Sequence, residues 1–285
     1  MRGVWRIRNW LDEQKRRNHL RRAGKAVSRF PNVTDRNSHA LGAPLIVTLT
    51  SYPPRFPTLG ATLRSLLDQT VRADRTILWL AEKDLSLLPD DVVALKDFGL
   101  EIRICADLRS YKKLIPALQA FPGAWFATAD DDVYYPPDWL ENLVKEATVH
   151  NRTVIATRAH LAWLDEAGWF VPYLDWNANT HHLRASLPWT RLFPTGVGGV
   201  LYPPGAFADA VMDEDAFMRL CPHGDDIWFF WMARLAGTDH ARTPAGFELL
   251  AWFRSQDVGL FHENQLNNRN DLQIRNMEEA YGPIP

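Results

Sequence analysis

From residue 45 onward, short apolar runs alternate with longer segments in which apolar residues return every three or four positions. LIVTLTS (45–51), TILWLAE (76–82), LEIRIC (100–105) and AWFATAD (124–130) have the length and composition of buried strands. Between them, Leu59, Leu63, Leu66 and Leu67 share one side of a helix expected over Thr58 to Gln69. A second helix is expected after Pro89, and a third over YKKLIPALQAF (111–121), interrupted at Pro116. Pro136 is expected to open a fourth as a first-turn proline. Four strand-helix units in succession predict an α/β fold: a mostly parallel central sheet flanked by helices.

The second half is less regular. TVIATRAH (153–160) reads as a strand, a Trp-rich polar stretch runs to Thr195, and helices are expected over Pro203 to Leu220 and Asp225 to Ala236. No internal repeat or low-complexity tract interrupts the pattern.

Length and composition narrow the class. With 285 residues, 46% of them hydrophobic, the chain can bury a large core, which excludes disorder over most of its length. Cys105 and Cys221 are too few for a disulfide framework and lie in apolar settings, so buried free thiols in a reducing compartment are expected. No apolar run approaches the roughly 18 to 20 residues of a membrane span, and no apolar core of a signal peptide is present. The expected location is cytoplasmic.

Charge changes the picture at the N-terminus. Residues 1–32 carry ten Lys or Arg against Asp12 and Glu13, so the remainder of a chain of net charge −2 is near −10. Val4, Ile7, Trp10 and Leu11 fall near one face of a helix in this arm. An anionic membrane surface is therefore a candidate partner of residues 1–32, which would place the protein peripherally at the inner face of the cytoplasmic membrane. A solvated basic helix or a disordered tail is the alternative. The acidic remainder argues against nucleic acid as a partner.

Chemistry concentrates at Asp130, Asp131 and Asp132. In sheets of this kind, ligands bind beyond the carboxyl ends of the strands, where these three residues fall. Adjacent carboxylates repel, so they take up a proton, turn into water or share a cation. Oxygen donors suit Mg²⁺ or Mn²⁺, and Mg²⁺ is usually completed by substrate phosphates. At the end of an extended segment residues i and i+2 face the same way, so Asp130 and Asp132 are expected to act together while Asp131 faces elsewhere. A cluster capping the helix after Pro136 is the other reading.

A strand followed by Asp-x-Asp after three strand-helix units resembles the nucleotide-sugar glycosyltransferases of the GT-A (Rossmann-like) fold, family 2-like and of the bacterial polysaccharide type. The resemblance spans about residues 44–265, and its specificity lies in an ordered set of motifs. It implies a divalent ion, Mn²⁺ or Mg²⁺, held by Asp130 and Asp132 and bridging the donor diphosphate, with Asp131 beside the donor. GVGGV (196–200) resembles the family's glycine-rich loop, where Gly198 and Gly199 would let the backbone approach donor or acceptor. HGDDIWFFW (223–231) resembles its acidic motif at a helix start, which makes Asp226, or Asp225 before it, the candidate general base. The more usual Glu is absent there, so the choice between the two stays open. GLFHENQLNN (259–268) resembles the segment that supplies a histidine to the metal, with His262 as the candidate.

The same resemblance assigns the nucleotide to Thr50, Ser51, Tyr52 and Arg55 after the first strand, Glu82 or Lys83 after the second, and Lys113, with Lys112 secondary, before the fourth. Trp163, Trp169, Trp176 and Trp189 are candidates to stack on acceptor sugars or simply core. His181 and His182 are expected on the surface or the acceptor side. The implied domains are an arm (1–43) and a glycosyltransferase domain (44–285), with a donor half (44–135) and an acceptor half (136–285). The implied activity is inverting transfer from a nucleotide-diphosphate sugar, UDP-sugar favoured, to a saccharide or lipid-linked acceptor of cell-surface polysaccharide synthesis. A sugar-nucleotide nucleotidyltransferase should carry a glycine-rich phosphate loop after the first strand, and TSYPPRFPT has none. A non-catalytic carbohydrate-binding protein of this fold would tolerate loss of the carboxylates that are all present.

Overall fold

A computed structural model describes residues 2–253, 255 and 269–284. Its centre is a seven-stranded sheet built from β1 (Leu45–Thr50), β2 (Arg75–Ala81), β3 (Leu100–Cys105), β4 (Trp125–Thr128), β5 (Val154–Ala156), β8 (Val200–Tyr202) and β9 (His240–Arg242). They stand in the order β3-β2-β1-β4-β8-β5-β9. β1 to β4 are parallel, as expected from the strand-helix alternation, while β8 runs antiparallel to both β4 and β5. β6 (Ala159–Leu161) and β7 (Leu192–Pro194) form a separate antiparallel pair.

The strands are apolar at nearly every position because both faces of the sheet are covered. Along β1, Leu45, Val47 and Leu49 enter one core and Ile46 the other, and β2 and β4 divide their side chains the same way. α2 (Phe56–Leu67), α3 (Asp90–Val93) and α5 (Trp139–Val149) cover the first face. α4 (Ile115–Ala120), α6 (Glu214–Leu220), α7 (Asp225–Leu235) and α8 (Arg269–Tyr281) cover the second. α7 is apolar around most of its circumference, and Trp228, Phe229, Phe230 and Trp231 are all buried. Each such side chain contributes about 2 kcal/mol on burial, which fixes the helix that carries Asp225 and Asp226.

Several expected elements are corrected. The strand expected over 153–160 is two, β5 and β6, in different sheets; Thr157 and Arg158 carry the chain across the break. The helix expected from Pro203 begins only at Glu214, because Pro203 to Gly205 form a turn and Asp213 caps α6 through Ala216 N–H at 2.9 Å. Pro136 does not open α5. Its carbonyl accepts from Gln69 Nε2 at 3.0 Å and from Trp139 N–H at 2.9 Å, and the helix starts at Trp139. Pro116 starts α4 in its first turn, after a separate 3-10 turn over Arg109–Lys113.

The basic arm is helical over Arg2–Ser28, named α1. Leu20, Ala23 and Val27 pack with Ala61 of α2, Tyr134, Leu250 and Trp252, and His19 Nδ1 meets the Glu248 carboxylate at 2.5 Å. Beyond it, Asn32 and Val33 N–H donate to the Asp68 carboxylate at 2.9 and 2.8 Å. The disordered-tail reading therefore does not describe residues 20–33. Among the described residues no helix is long and apolar enough to cross a membrane.

Candidate active site

At the carboxyl edge of β1 to β4 lies a cavity of about 860 Å³. Thr50, Ser51, Tyr52, Arg55, Lys113 and all three aspartates line it, together with Asp225 and Asp226 from the first turn of α7. Sequence positions more than 170 residues apart thus meet where the strand-end rule places a ligand.

Lys113 joins the two acidic groups. Its turn is tied to β1 by Thr48 Oγ1, which donates to the Lys113 carbonyl at 2.6 Å, and to the approach of α7 by Tyr111 hydroxyl, which donates to the Cys221 carbonyl at 2.7 Å. The Lys113 ammonium lies 2.9 Å from Asp225 Oδ2, an ion pair without hydrogen-bond alignment, and 3.4 Å from Asp130 Oδ1. Burial opposes its charge, but Asp225, Asp130 and Asp226 outweigh burial and hold it well above the ordinary lysine range.

Asp226 is held differently. Its Oδ2 accepts from Gly196 N–H at 2.9 Å, and a Cβ on Gly196 would stand 2.6 Å from its Oδ1. Burial and then the neighbouring Asp225 push its carboxyl up to about 7, against the pull of Lys113. A carboxylate with that affinity is suited to accept a proton near neutral pH, whereas Asp225 is occupied by Lys113.

The three aspartates do not follow the strand alternation. β4 ends at Thr128, and residues 131 and 132 form a turn, so the expectation that Asp130 and Asp132 share one direction does not hold on that ground. Ser51 Oγ donates to Asp131 Oδ2 at 2.5 Å, and Arg55 forms an ion pair with Asp132. Burial, then Asp132, raises Asp131 to about 7; burial and Asp130 also raise Asp132, despite Arg55. Burial works against the Arg55 charge, but Asp132 and Asp131 outweigh it and raise its pKa.

Asp130, Asp131, Asp132, Asp225 and Asp226 thus gather around Arg55 and Lys113, which pair with three of them. Among the described residues no three His, Cys, Asp or Glu side chains gather as a ready metal-ligand group, and His262 lies outside the described residues. An oxygen-only donor set nonetheless fits a hard divalent ion, and Asp130, partly exposed to the cavity, is the carboxylate that would meet it.

Three expected contacts are corrected. Gly198 and Gly199 do not line the cavity; Gly196 and Val197 do. Both glycines have positive φ, 96° and 100°, and a Cβ on Gly199 would lie 2.5 Å from the Trp139 ring, whose Nε1 donates to the Gly198 carbonyl at 2.7 Å. A Cβ on Gly198 would lie 2.6 Å from Thr157 Oγ1, so Gly199 packs against α5 and Gly198 against Thr157 and Phe247. Glu82 is exposed and outside the cavity, which takes Lys83 and the buried Asp84 from the same 3-10 turn. None of Trp163, Trp169, Trp176 and Trp189 lines it; Trp176 is core, while Trp163 and Trp169 are exposed. His181 and His182 are exposed, as expected.

Other lining residues were not singled out from the sequence. Asp107, after β3, pairs with Lys83 at 2.6 Å and Lys112 at 2.9 Å, and those two contacts lower its carboxyl to about 2. Arg158, His160 and Tyr173 come from the β5–β6 break, from β6 and from the loop after it. The strand-end rule, applied to β3 and to a β5 that stops at Ala156, points to Asp107 and Arg158.

Sheet order, helical cover and the cavity at the strand ends define a Rossmann-like α/β fold. Among solved structures, the chain is similar to the mannosyltransferase PcManGT from Pyrobaculum calidifontis in complex with GDP-Man and Mn²⁺, with a TM-score of 0.53 and 15% identity over 93% of this chain and 71% of that one. At that identity the likeness is one of fold. No protein-family model and no curated protein matches the chain.

Proposed function

We propose that the chain is a metal-assisted, family 2-like GT-A glycosyltransferase that moves a sugar from a nucleotide-diphosphate sugar to an acceptor hydroxyl with inversion. One observation carries the reading: Asp226, raised to about 7, shares a cavity with Asp130, and Lys113 spans the two sides. A candidate base and a candidate diphosphate site are thereby held at one place.

Asp226 accepts the acceptor's hydroxyl proton as the oxygen attacks the anomeric carbon. The new C–O bond forms while the bond to the diphosphate oxygen breaks, and its electron pair leaves with the diphosphate. Lys113 and Arg55 supply positive charge on the leaving side. A divalent ion, Mn²⁺ or Mg²⁺, would be held by Asp130 and Asp132 and would neutralise the diphosphate. Gly196 N–H keeps Asp226 oriented, and Asp225, spent on Lys113, fixes that lysine.

The UDP-sugar expectation and the GDP-Man carried by the neighbour define the two donors to compare. The acceptor is a saccharide or lipid-linked saccharide of cell-surface polysaccharide synthesis, met at the inner membrane face where α1 would rest its basic side. Calorimetric titration of UDP and GDP, with and without Mn²⁺, tests the donor site in wild type and in an Asp130→Ala, Asp132→Ala double variant. Mn²⁺-dependent binding of one nucleotide, lost in the variant, is expected; binding of neither sinks the reading.

A further inference from the structure

The wall of the cavity that follows β5 has the opposite electrostatic character. Arg158 leaves β5 and lines the cavity beside His160, Tyr173, Phe193 and Thr195. Its carbonyl accepts from Thr195 N–H at 3.1 Å, but its guanidinium enters no ion pair with a described residue. Burial lowers its pKa, where a carboxylate partner would have raised it.

Its neighbours do not compensate. Arg242 is 6% exposed; its Nε donates to the Thr157 carbonyl at 3.2 Å and its Nη1 stands 3.3 Å from His181 Nδ1, with no ion pair among the described residues. Burial and then Arg158 lower its pKa as well. His160 Nδ1 accepts from Asn179 N–H at 2.9 Å, so its proton sits on Nε2, and burial with Arg158 holds the ring neutral with a pKa of about 4. In a body whose net charge is near −10, a half-buried Arg158 beside a buried Arg242, neither with a counter-charge among the described residues, is an expense that a bound anion would offset.

We infer that this wall receives an anionic oxygen group, a phosphate or a carboxylate, carried by the acceptor. This rests on the glycosyltransferase reading. The wall lies on the base side of the cavity: Tyr173 feels the charge of Asp226, and Thr195, bound to Arg158, precedes Gly196, bound to Asp226. An acceptor whose hydroxyl meets Asp226 therefore places its neighbouring substituent against Arg158, and a guanidinium is suited to clasp a phosphate or carboxylate through two parallel N–H groups.

The test uses glucose 1-phosphate, glucuronate and glucose as probes, titrated into the full chain with Mn²⁺ and a saturating nucleoside diphosphate. Wild type should bind at least one anionic probe about tenfold or more tighter than glucose. Arg158→Gln should lose that preference, and Arg158→Lys should retain part of it, with circular dichroism confirming that both fold. The two anionic arms separate phosphate from carboxylate. Equal binding of charged and neutral probes, binding of none, or a preference that survives in Arg158→Gln overturns the inference. Loss of nucleotide affinity in Arg158→Gln also overturns it, because the wall would then serve the donor. Nucleotide binding by wild type is read separately, so failure of the donor reading is distinguished from failure of this one.

Discussion

The two walls of the cavity carry opposite imbalances. At the β1–β4 edge and the start of α7, Asp130, Asp131, Asp132, Asp225 and Asp226 gather around Arg55 and Lys113; at the β5–β6 break, Arg158 lines the cavity and, like Arg242 outside the lining, pairs with no described carboxylate. Both walls could have been neutralised from within, as Asp107 is by Lys83 and Lys112 a few residues away. Charge left uncompensated in a partly buried site costs stability, so it persists where a ligand of the other sign supplies the balance. On the proposed reading the difference corresponds to two kinds of occupant, a cation with its diphosphate on one side and an anionic acceptor group on the other.

The largest effect that sharpens this contrast is expected at Asp226. Asp226→Asn keeps the Gly196 contact but removes the proton acceptor, so sugar transfer should fall by about 10² to 10⁴ while nucleotide affinity changes little. In wild type the transfer rate should rise with pH through about 7, as the carboxyl of Asp226 ionises. Full activity in Asp226→Asn would move the base to Asp225 and detach the acidic wall from catalysis.

The acidic wall was legible because its residues end regular strands or start a regular helix. β1, β2 and β4 are covered on both faces, read as continuous apolar runs, and place Thr50 to Arg55 and Asp130 to Asp132 without ambiguity. α7 is signalled by its apolar run, so Asp225 and Asp226 were found with it. The basic wall was missed because TVIATRAH has the composition of one strand, yet Thr157 and Arg158 turn it from one sheet into another. That break depends on β8 and β7 arriving from much later in the chain, as in the pairings Ile155 with Leu201 and His160 with Phe193, which local pattern does not contain. Gly198 and Gly199 lie outside the cavity for a related reason: glycine marks close approach, but the approaching groups are Thr157 and Phe247 at Gly198 and Trp139 of α5 at Gly199.

A smaller effect is expected from removing one of the two cations on the acidic wall. Arg55→Gln removes the arginine from an ion pair with Asp132 whose side chains are 11% and 8% exposed. Loss of such a pair costs on the order of 3 kcal/mol, which scanning calorimetry should register as a fall in Tm of several degrees. The contrast between the walls makes a second demand: added Mn²⁺ should raise the Tm of Arg55→Gln more than that of wild type, because the surplus it relieves is larger. An equal response in both proteins would mean that the carboxylates do not act as one charge cluster.

The smallest effect concerns Asp131, whose side chain meets Ser51 and whose carboxyl is raised from the ordinary Asp value to about 7 by burial and by Asp132. A carboxyl raised on folding binds more protons in the native than in the unfolded state between about 4 and 7, so its contribution to stability is present below that window and is lost as pH rises through it. Asp226 adds a change of the same sign in the same window. Asp131→Asn removes one of the two, keeps an oxygen for the Ser51 hydroxyl, and should flatten the decline of Tm between pH 4 and pH 7 in metal-free buffer. Mn²⁺ should flatten it in wild type too, since an ion held by Asp130 and Asp132 opposes the repulsion that raises Asp131. An unchanged slope in Asp131→Asn would show that the acidic wall is relieved by water reaching the carboxylates, and the contrast with the Arg158 wall would then be one of solvation and not of missing ligands.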